Sequence, residues 1–288
     1  MKSGEILKGK YLVGRQLGKG GSASVFLCTN IELGNSWAVK HVPEDRISGS
    51  ILSEVEILKK LYHVSLPRVV DVFRDKEGLY IVESNIEGID LESLLNRKGN
   101  FPVKTVVDWA LELCSILEYL HGFMPRPIIY RDLKPSNIML TKGNRLVLVD
   151  FGISMEYDRY QLEDRNISGT EAYASPEQLV RGGHTDQRTD IYNMGATLYR
   201  LLGSKALQAG GRPVRLLAGL IAKCMENRPE DRYQRVEDMR YELEALKNLL
   251  AAMKMRSERC QRLELPIIAI LSIISYTAAF LGMLGVQP

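Results

Sequence analysis

Residues 128–140 read IIYRDLKPSNIML and set four polar groups, Arg131, Asp132, Lys134 and Asn137, inside an apolar frame, with Pro135 among them. In isolation, a charged turn between two buried segments would account for them. Downstream, LVLVDFGIS (146–154) places Asp150 at the end of an apolar strand pattern, beside Gly152. Asp150 at this place can be a simple turn residue. Together with Asn137 it also offers the carboxylate and amide oxygens that Mg²⁺ takes when phosphates and water complete its shell. Asp132 is then left to accept a hydroxyl proton, and Lys134 to neutralise charge on a transferred phosphoryl group.

Upstream, LGKGGSASV (17–25) lies between two strand patterns. Gly18 and Gly20 would let a hairpin backbone approach phosphates closely, and Ala23 stands where a third glycine would complete G-x-G-x-x-G-x-V. Strands on both sides argue against a dinucleotide-binding fold, which needs a helix directly after the glycines. WAVK (37–40) ends a strand pattern at Lys40. Such a lysine usually faces solvent, but Glu54 sits at the centre of the next helical pattern and would supply the counter-charge that a buried lysine needs. Glu56 is a rival whose position suits the solvent side better.

In this order these residues resemble the protein kinase family, and the match is close to the eukaryotic-like serine/threonine kinases of bacteria. The resemblance covers about residues 11 to 250. It includes the glycine-rich loop, Lys40, Glu54, Y-R-D-L-K-P-S-N, D-F-G at 150–152, G-T at 169–170, A-S-P-E at 174–177, D-I-Y-N-M-G from Asp190 and R-P-E-D-R at 228–232. It implies an α+β, bilobal fold: a small β-rich N-lobe with one main helix (11–83), a hinge (84–86) and a larger helical C-lobe (87–250). ATP would bind between the lobes, with Mg²⁺ or Mn²⁺, and its γ-phosphoryl group would pass to a protein hydroxyl.

Carried over by this resemblance, Asp132 is the catalytic base and Lys134 its electrostatic partner. Lys40, Glu54 and Thr170 complete the catalytic set, and Asn137 and Asp150 are the metal ligands. The nucleotide would lie under Leu17, Gly18, Lys19, Gly20, Gly21, Ser22, Ala23, Ser24 and Val25. Adenine would sit between Val25, Ala38 and Met139, against the hinge from Ser84 to Ile86. Glu177 and Arg232 correspond to the buried ion pair of the helical lobe, and Asp190 to the anchor beneath the catalytic loop. Lys134 and Thr170 resemble the serine/threonine class rather than the tyrosine class.

Several positions depart from the family pattern. Tyr130 replaces the usual histidine, with an aromatic body still able to pack beneath Phe151. Glu83 falls just before the hinge, where an apolar or small residue is usual. It would pair with a neighbour or narrow the adenine pocket, unless the alignment slips there. Arg131 resembles the arginine that an anion on the activation segment neutralises, yet Asn166 stands at the commonest phosphothreonine position. Glu163 and Asp164 would supply a permanent charge, or Ser168, Tyr160 or Ser154 would be phosphorylated, so that activation depends only weakly on loop phosphorylation. The link between DIYNMGATLYRLLG and VRLLAGLIAKCM is short, which puts ordinary peptide docking in doubt.

The whole chain sets wider bounds. Its 288 residues, 45% hydrophobic and 25% charged, suit a globular protein of one large domain or two lobes. A net charge of +3 with dispersed Lys and Arg gives no reason for a nucleic-acid partner. Cys28, Cys114, Cys224 and Cys260 lie too far apart for a zinc cluster or disulfide framework, which fits a reducing cytosol.

Residues 1–10 form an N-terminal segment without a secretory signal. From Ile267 to Val286 the sequence is uncharged over about 20 residues, enough to cross a bilayer as a helix; a buried core helix is the lesser alternative. Lys254, Arg256, Arg259 and Arg262 precede it, so the expected order is a basic juxtamembrane helix (251–265), a single transmembrane helix (266–286) and a short external tail (287–288), with the kinase domain cytoplasmic. Such an anchor favours membrane-proximal protein substrates and self-association for autophosphorylation. A membrane-anchored ATP-binding pseudokinase or scaffold is the alternative, and a kinase-fold enzyme acting on a small molecule ranks behind it.

Overall fold

Alternating apolar and polar residues between glycine-containing turns build the first half of the chain into an antiparallel sheet. The computed structural model describes residues 1–20, 23–157, 169–204, 207 and 210–257. Strands β1 (Ile6–Leu7), β2 (Tyr11–Lys19), β3 (Ser24–Asn30), β4 (Ser36–Pro43), β5 (Val69–Arg74) and β6 (Gly78–Ser84) pair in the order β1-β2-β3-β4-β6-β5. One face carries Tyr11, Val13, Cys28, Val39, Tyr80 and Val82 in a closed apolar cluster with Leu7. The other carries Val42, Leu79 and Ile81, which pack against Ile51 and Val55 of helix α1 (Gly49–Lys60). Ser48 caps α1 by accepting the Ile51 N–H, and Lys59 and Lys60 lie in its last turn, where the helix dipole favours cations.

The N-terminal segment does not stand apart from this sheet. Leu7 is buried and β1 pairs with β2 through the three residues 8–10, in which the Lys10 N–H donates to the Leu7 carbonyl at 2.9 Å around Lys8 and Gly9, with φ of 50° and 63°. Both central residues in the left-handed region make the turn that matches strand twist. Strand β5 stops at Arg74 rather than running on, because Asp75 and Gly78 close a turn: the Asp75 N–H donates to the Gly78 carbonyl at 3.0 Å. Gly78 has φ of 146° and a Cβ there would lie 2.0 Å from the Val42 carbonyl oxygen, so no other residue fits without moving β4.

The second half is helical, as its 3.6-residue periodicity predicts. Helices α2 (Leu91–Lys98), α3 (Val103–His121), α4 (Pro176–Leu179), α5 (Gln187–Leu202) and α6 (Arg212–Cys224) are followed by α7, helical over 236–257. Helix α3 buries Val106, Val107, Trp109, Ala110, Leu113, Cys114, Ile116, Leu117 and Leu120, more than one stripe, and so forms the centre of the lobe. Ile191, Met194 and Leu198 of α5, Leu217 and Ile221 of α6, and Met239 and Leu243 of α7 join it in one core. Short strands β7 (Gly88–Asp90), β9 (Ile138–Thr141) and β10 (Leu146–Leu148) form a small sheet, and β8 (Ile128–Ile129) pairs with β11 (Met155–Glu156). The segment 130–137 runs between β8 and β9, and 149–154 between β10 and β11, so these strands bring the two segments together.

With α5 ending at Leu202 and α6 beginning at Arg212, residues 203–211 make the link between them. Cys28, Cys114 and Cys224 are buried free thiols. Among the described residues no helix is long and apolar enough to cross a membrane. Segment 266–286, residues 258–265 with Cys260, and the tail 287–288 lie outside them.

Candidate active site

Asp190, at the start of α5 and fully buried, fixes the loop that follows β8. Its Oδ2 accepts the Tyr130 N–H at 2.9 Å and its Oδ1 the Arg131 N–H at 2.7 Å, while His121 Nε2 lies 2.8 Å from Oδ2. The Gln178 amide donates to the Arg131 carbonyl at 2.7 Å, and the Thr197 hydroxyl to the Leu133 carbonyl at 2.8 Å. These bonds hold Arg131 at φ of 70°, a left-handed conformation that costs a non-glycine residue roughly 1–3 kcal/mol. The strained turn brings the next side chain, Asp132, out of the core and into the cleft.

The Asp132 carboxylate has three donors around it. Lys134 Nζ lies 2.7 Å and Asn137 Nδ2 2.8 Å from its Oδ2, and the Thr170 hydroxyl donates to its Oδ1 at 3.2 Å. Lys134 Nζ also donates to Thr170 Oγ1 at 2.7 Å, so Lys134 bridges the loop and the G-T segment. With its Nδ2 given to Asp132, Asn137 keeps its side-chain carbonyl oxygen for another ligand. The Val149 N–H donates to the Asn137 carbonyl at 2.9 Å, which sets Asp150 beside this loop.

Asp150 also has positive φ, 66°, and is about half exposed; its Oδ1 accepts the Gly152 N–H at 3.2 Å. Asn137 and Asp150 thus offer two oxygens, and among the described residues no group of three or more His, Cys, Asp or Glu forms a self-sufficient metal site. Two protein oxygens suit Mg²⁺, whose other ligands would be phosphate and water.

Across the cleft, Lys40 Nζ donates to both Glu54 oxygens, at 2.7 and 2.8 Å, and lies 3.7 Å from Asp150 Oδ1. Burial pushes Glu54 up, opposed by the Lys40 charge. For Lys40 burial pulls downward, but the Glu54 and Asp150 carboxylates outweigh it and hold the ammonium charged. Glu56 is exposed and pairs with Lys59 instead. Lys60 pairs with Glu156, tying α1 to β11.

The glycine hairpin lies at the end of β2 and β3, and β3 pairs with the Lys40 strand. Gly18 faces Val25 and Lys19 faces Ser24, and the Gly20 N–H donates to the Ala23 carbonyl at 2.9 Å. A Cβ at Gly18 would meet nothing within 4 Å, so the space over it is open. Leu17 is partly exposed beside it. Gly21 and Ser22 lie outside the described residues. Val25 pairs with Lys40 and Leu27 with Ala38, which puts Val25 and Ala38 on the cleft face of the sheet. Met139 lies on β9, opposite Asp90 and Val147. Ser84 ends β6, and Ile86 follows it, half-buried.

A family model described as protein kinase domain matches residues 11–263. The chain belongs to the protein kinase family. It is similar to a "probable serine/threonine-protein kinase" of Clostridium acetobutylicum, 27% identical over 273 residues, or 85% of this chain and 41% of that one. Another so named, from Streptomyces coelicolor, is 27% identical over 279 residues, with the same coverage. CBL-interacting serine/threonine-protein kinase 18 of Arabidopsis thaliana is 31% identical over 204 residues, 68% of this chain and 38% of its own length. The kinase chain therefore spans about two fifths of the length of these relatives.

In this kinase Tyr130 does more than fill space. Its ring meets Phe151 edge-on at 5.0 Å, and its hydroxyl donates to the Val149 carbonyl at 2.5 Å, joining the Y-R-D-L-K-P-S-N loop to the D-F-G segment. Glu177 and Arg232 meet in a buried, two-pronged pair at 2.7 and 2.8 Å. Arg131 is buried, with Nη1 2.9 Å from the Met155 sulfur. Ser154 is buried and its hydroxyl donates to the Tyr130 carbonyl, so it is not placed to receive a phosphoryl group in this conformation. Tyr160, Ser168, Asn166, Glu163 and Asp164 lie outside the described residues.

Glu83 stands opposite Ala38 in an unbroken β4–β6 ladder. Among the described residues its carboxylate makes no ion pair, Lys40 being taken by Glu54. Burial raises Glu83 to about 7; Lys40 opposes the shift, and Glu54 and Asp150 add to it. Sequence reasoning missed His121 and Gln178. His121 gave no signal, being 69 residues from Asp190 at the end of an apolar helix. Gln178 follows Glu177 directly and completes a capping box with Ser175, a pattern readable in S-P-E-Q.

Proposed function

We propose that the chain is a membrane-anchored serine/threonine protein kinase that transfers the ATP γ-phosphoryl group to protein hydroxyls, with Asp132 as the catalytic base. The observation that carries this is the Asp132 carboxylate held by Lys134, Asn137 and Thr170 beside the Asn137 and Asp150 oxygens. Lys40, aimed by Glu54, would neutralise phosphate oxygens, and Lys134 charge on the group in transfer. Mg²⁺ held by Asn137 and Asp150 would supply charge stabilisation for the phosphates. Thr170, bridging Lys134 and Asp132, suits recognition of an aliphatic hydroxyl. The names of the bacterial relatives agree with this activity.

The anchor rests on the uncharged run 267–286 and the basic residues before it. It would keep the catalytic domain near membrane-bound protein substrates and a second copy of itself.

Radiolabelled transfer from ATP to a mixed serine and threonine peptide library, with Asp132→Asn as control, tests the activity. The expected result is phosphoserine and phosphothreonine from the wild type, and a loss of roughly 10²-fold or more in Asp132→Asn with nucleotide binding retained. Equal turnover by the two would refute the role of Asp132; binding without turnover by either would favour a scaffold. Flotation of the full chain with vesicles, lost on deleting residues 266–288, tests the anchor.

A further inference from the structure

The structure points to one residue whose chemistry the reaction does not use. In antiparallel strands, residues directly opposite one another put their side chains on the same face. Glu83 is opposite Ala38, and Ile81 opposite Lys40, so Glu83, Ala38 and Lys40 share the cleft face. Val39 and Val82 turn the other way, into the closed cluster. Lys40 is diagonal to Glu83 and is committed to both oxygens of Glu54. Among the described residues no group hydrogen-bonds the Glu83 carboxylate or lies within ion-pairing distance of it. Glu83 is half-buried and its oxygens are not among the buried unpaired atoms, so they stay open to the cleft and take their donors from water or from a ligand that displaces it.

We propose that Glu83 selects the nucleotide base: its carboxylate accepts a hydrogen bond from the exocyclic 6-amino group of a purine resting on Ala38, and disfavours a 6-oxo purine. This rests on ATP occupying the cleft as proposed above. A 6-oxo purine presents an oxygen to the ionised carboxylate, so both partners would be acceptors; because burial raises Glu83 to about 7, the titrations below are run at about pH 8.5, where the carboxyl has lost the proton it could otherwise donate. A purine with hydrogen at position 6 neither donates nor repels. The three bases therefore rank 6-amino, 6-hydrogen, 6-oxo. Glutamine at this position reverses part of the order, because its amide rotates to donate to a 6-oxo group while still accepting from a 6-amino group.

Calorimetric titration of the full-length protein with ATP, purine riboside triphosphate and inosine triphosphate tests this, using wild type, Glu83→Gln and Glu83→Leu. Binding, not turnover, is read, so failure of catalysis does not obscure the answer. The wild type is expected to bind ATP roughly tenfold to a hundredfold tighter than purine riboside triphosphate, and inosine triphosphate weakest. Glu83→Gln narrows the gap between ATP and inosine triphosphate at least roughly tenfold; Glu83→Leu brings ATP and purine riboside triphosphate to near equality. The same base ratios in all three proteins would overturn the proposal, as would an equal gain in affinity for every base, which would mean that Glu83 acts through Lys40. No nucleotide binding by the folded wild type would overturn it too. Intact ratios without phosphoryl transfer would support Glu83 and count against the catalytic assignment alone.

Discussion

Two carboxylate–cation pairs, Arg232 with Glu177 in the helical lobe and Lys40 with Glu54 in the cleft, are similar in distance and opposite in surroundings. The Arg232 side chain is fully buried and every donor is used. Nε donates to the Glu226 carbonyl, Nη1 to Glu177 and the Arg188 carbonyl, and Nη2 to Glu177 and the Asn227 carbonyl. Those five bonds match the five N–H groups of a guanidinium. The Thr189 hydroxyl donates to Glu177 as well. Lys40 instead gives two bonds to Glu54 and points toward Asp150 at 3.7 Å, too long for a hydrogen bond, with Glu83 as a third carboxylate on the same face. A saturated pair is finished on its own. A single ammonium among three carboxylates leaves negative charge in excess, which suits a site completed by a divalent cation and phosphates.

The largest effect should come from breaking the saturated pair. Glu177→Ala leaves Arg232 buried without its partner, and we expect a loss of about 3–5 kcal/mol in denaturant unfolding. Burial pushes the Glu177 carboxyl up, but the hydrogen bonds and charge of Arg232 outweigh it and hold it below its ordinary value of 4.5. Its folded pKa is therefore depressed. The stability it contributes is present above 4.5 and is lost as pH falls through the lower folded value. Acid titration of stability should show this component in the wild type and lack it in Glu177→Gln.

A smaller effect sharpens the role of the loop between the two pairs. Tyr130→Phe keeps the ring on Phe151 but removes the donor to the Val149 carbonyl. We expect a loss of about 1 kcal/mol in unfolding, with turnover reduced only severalfold. A stability equal to wild type would show that the tyrosine serves by its ring alone.

Much of this organisation was legible in the chain, for reasons that its residues make plain. Helix α2 begins at Leu91 because Asp90 caps it, accepting the Ser93 N–H, and ends at Lys98 because Gly99 follows with φ of 76°; both signals are local. Arg131, Asp132, Lys134, Asn137 and Asp150 could be grouped because strands and tight turns hold them within 20 residues of sequence. The β1 hairpin was missed because its strand is two residues long, although the Lys8-Gly9 pair marks the turn. The His121–Asp190 contact was not legible, since packing of α3 against α5 alone brings them together. The direction of Glu83 depended on its register with Ala38, which spacing in one strand does not fix.

The most direct test of a cleft built for phosphoryl transfer is the turnover of Lys40→Met, measured with its unfolding curve. We predict that the variant unfolds cooperatively, because Glu54 can take a proton once its cation is gone, while phosphoryl transfer falls at least roughly 10²-fold. Turnover within a few fold of wild type in a folded Lys40→Met protein would contradict the account.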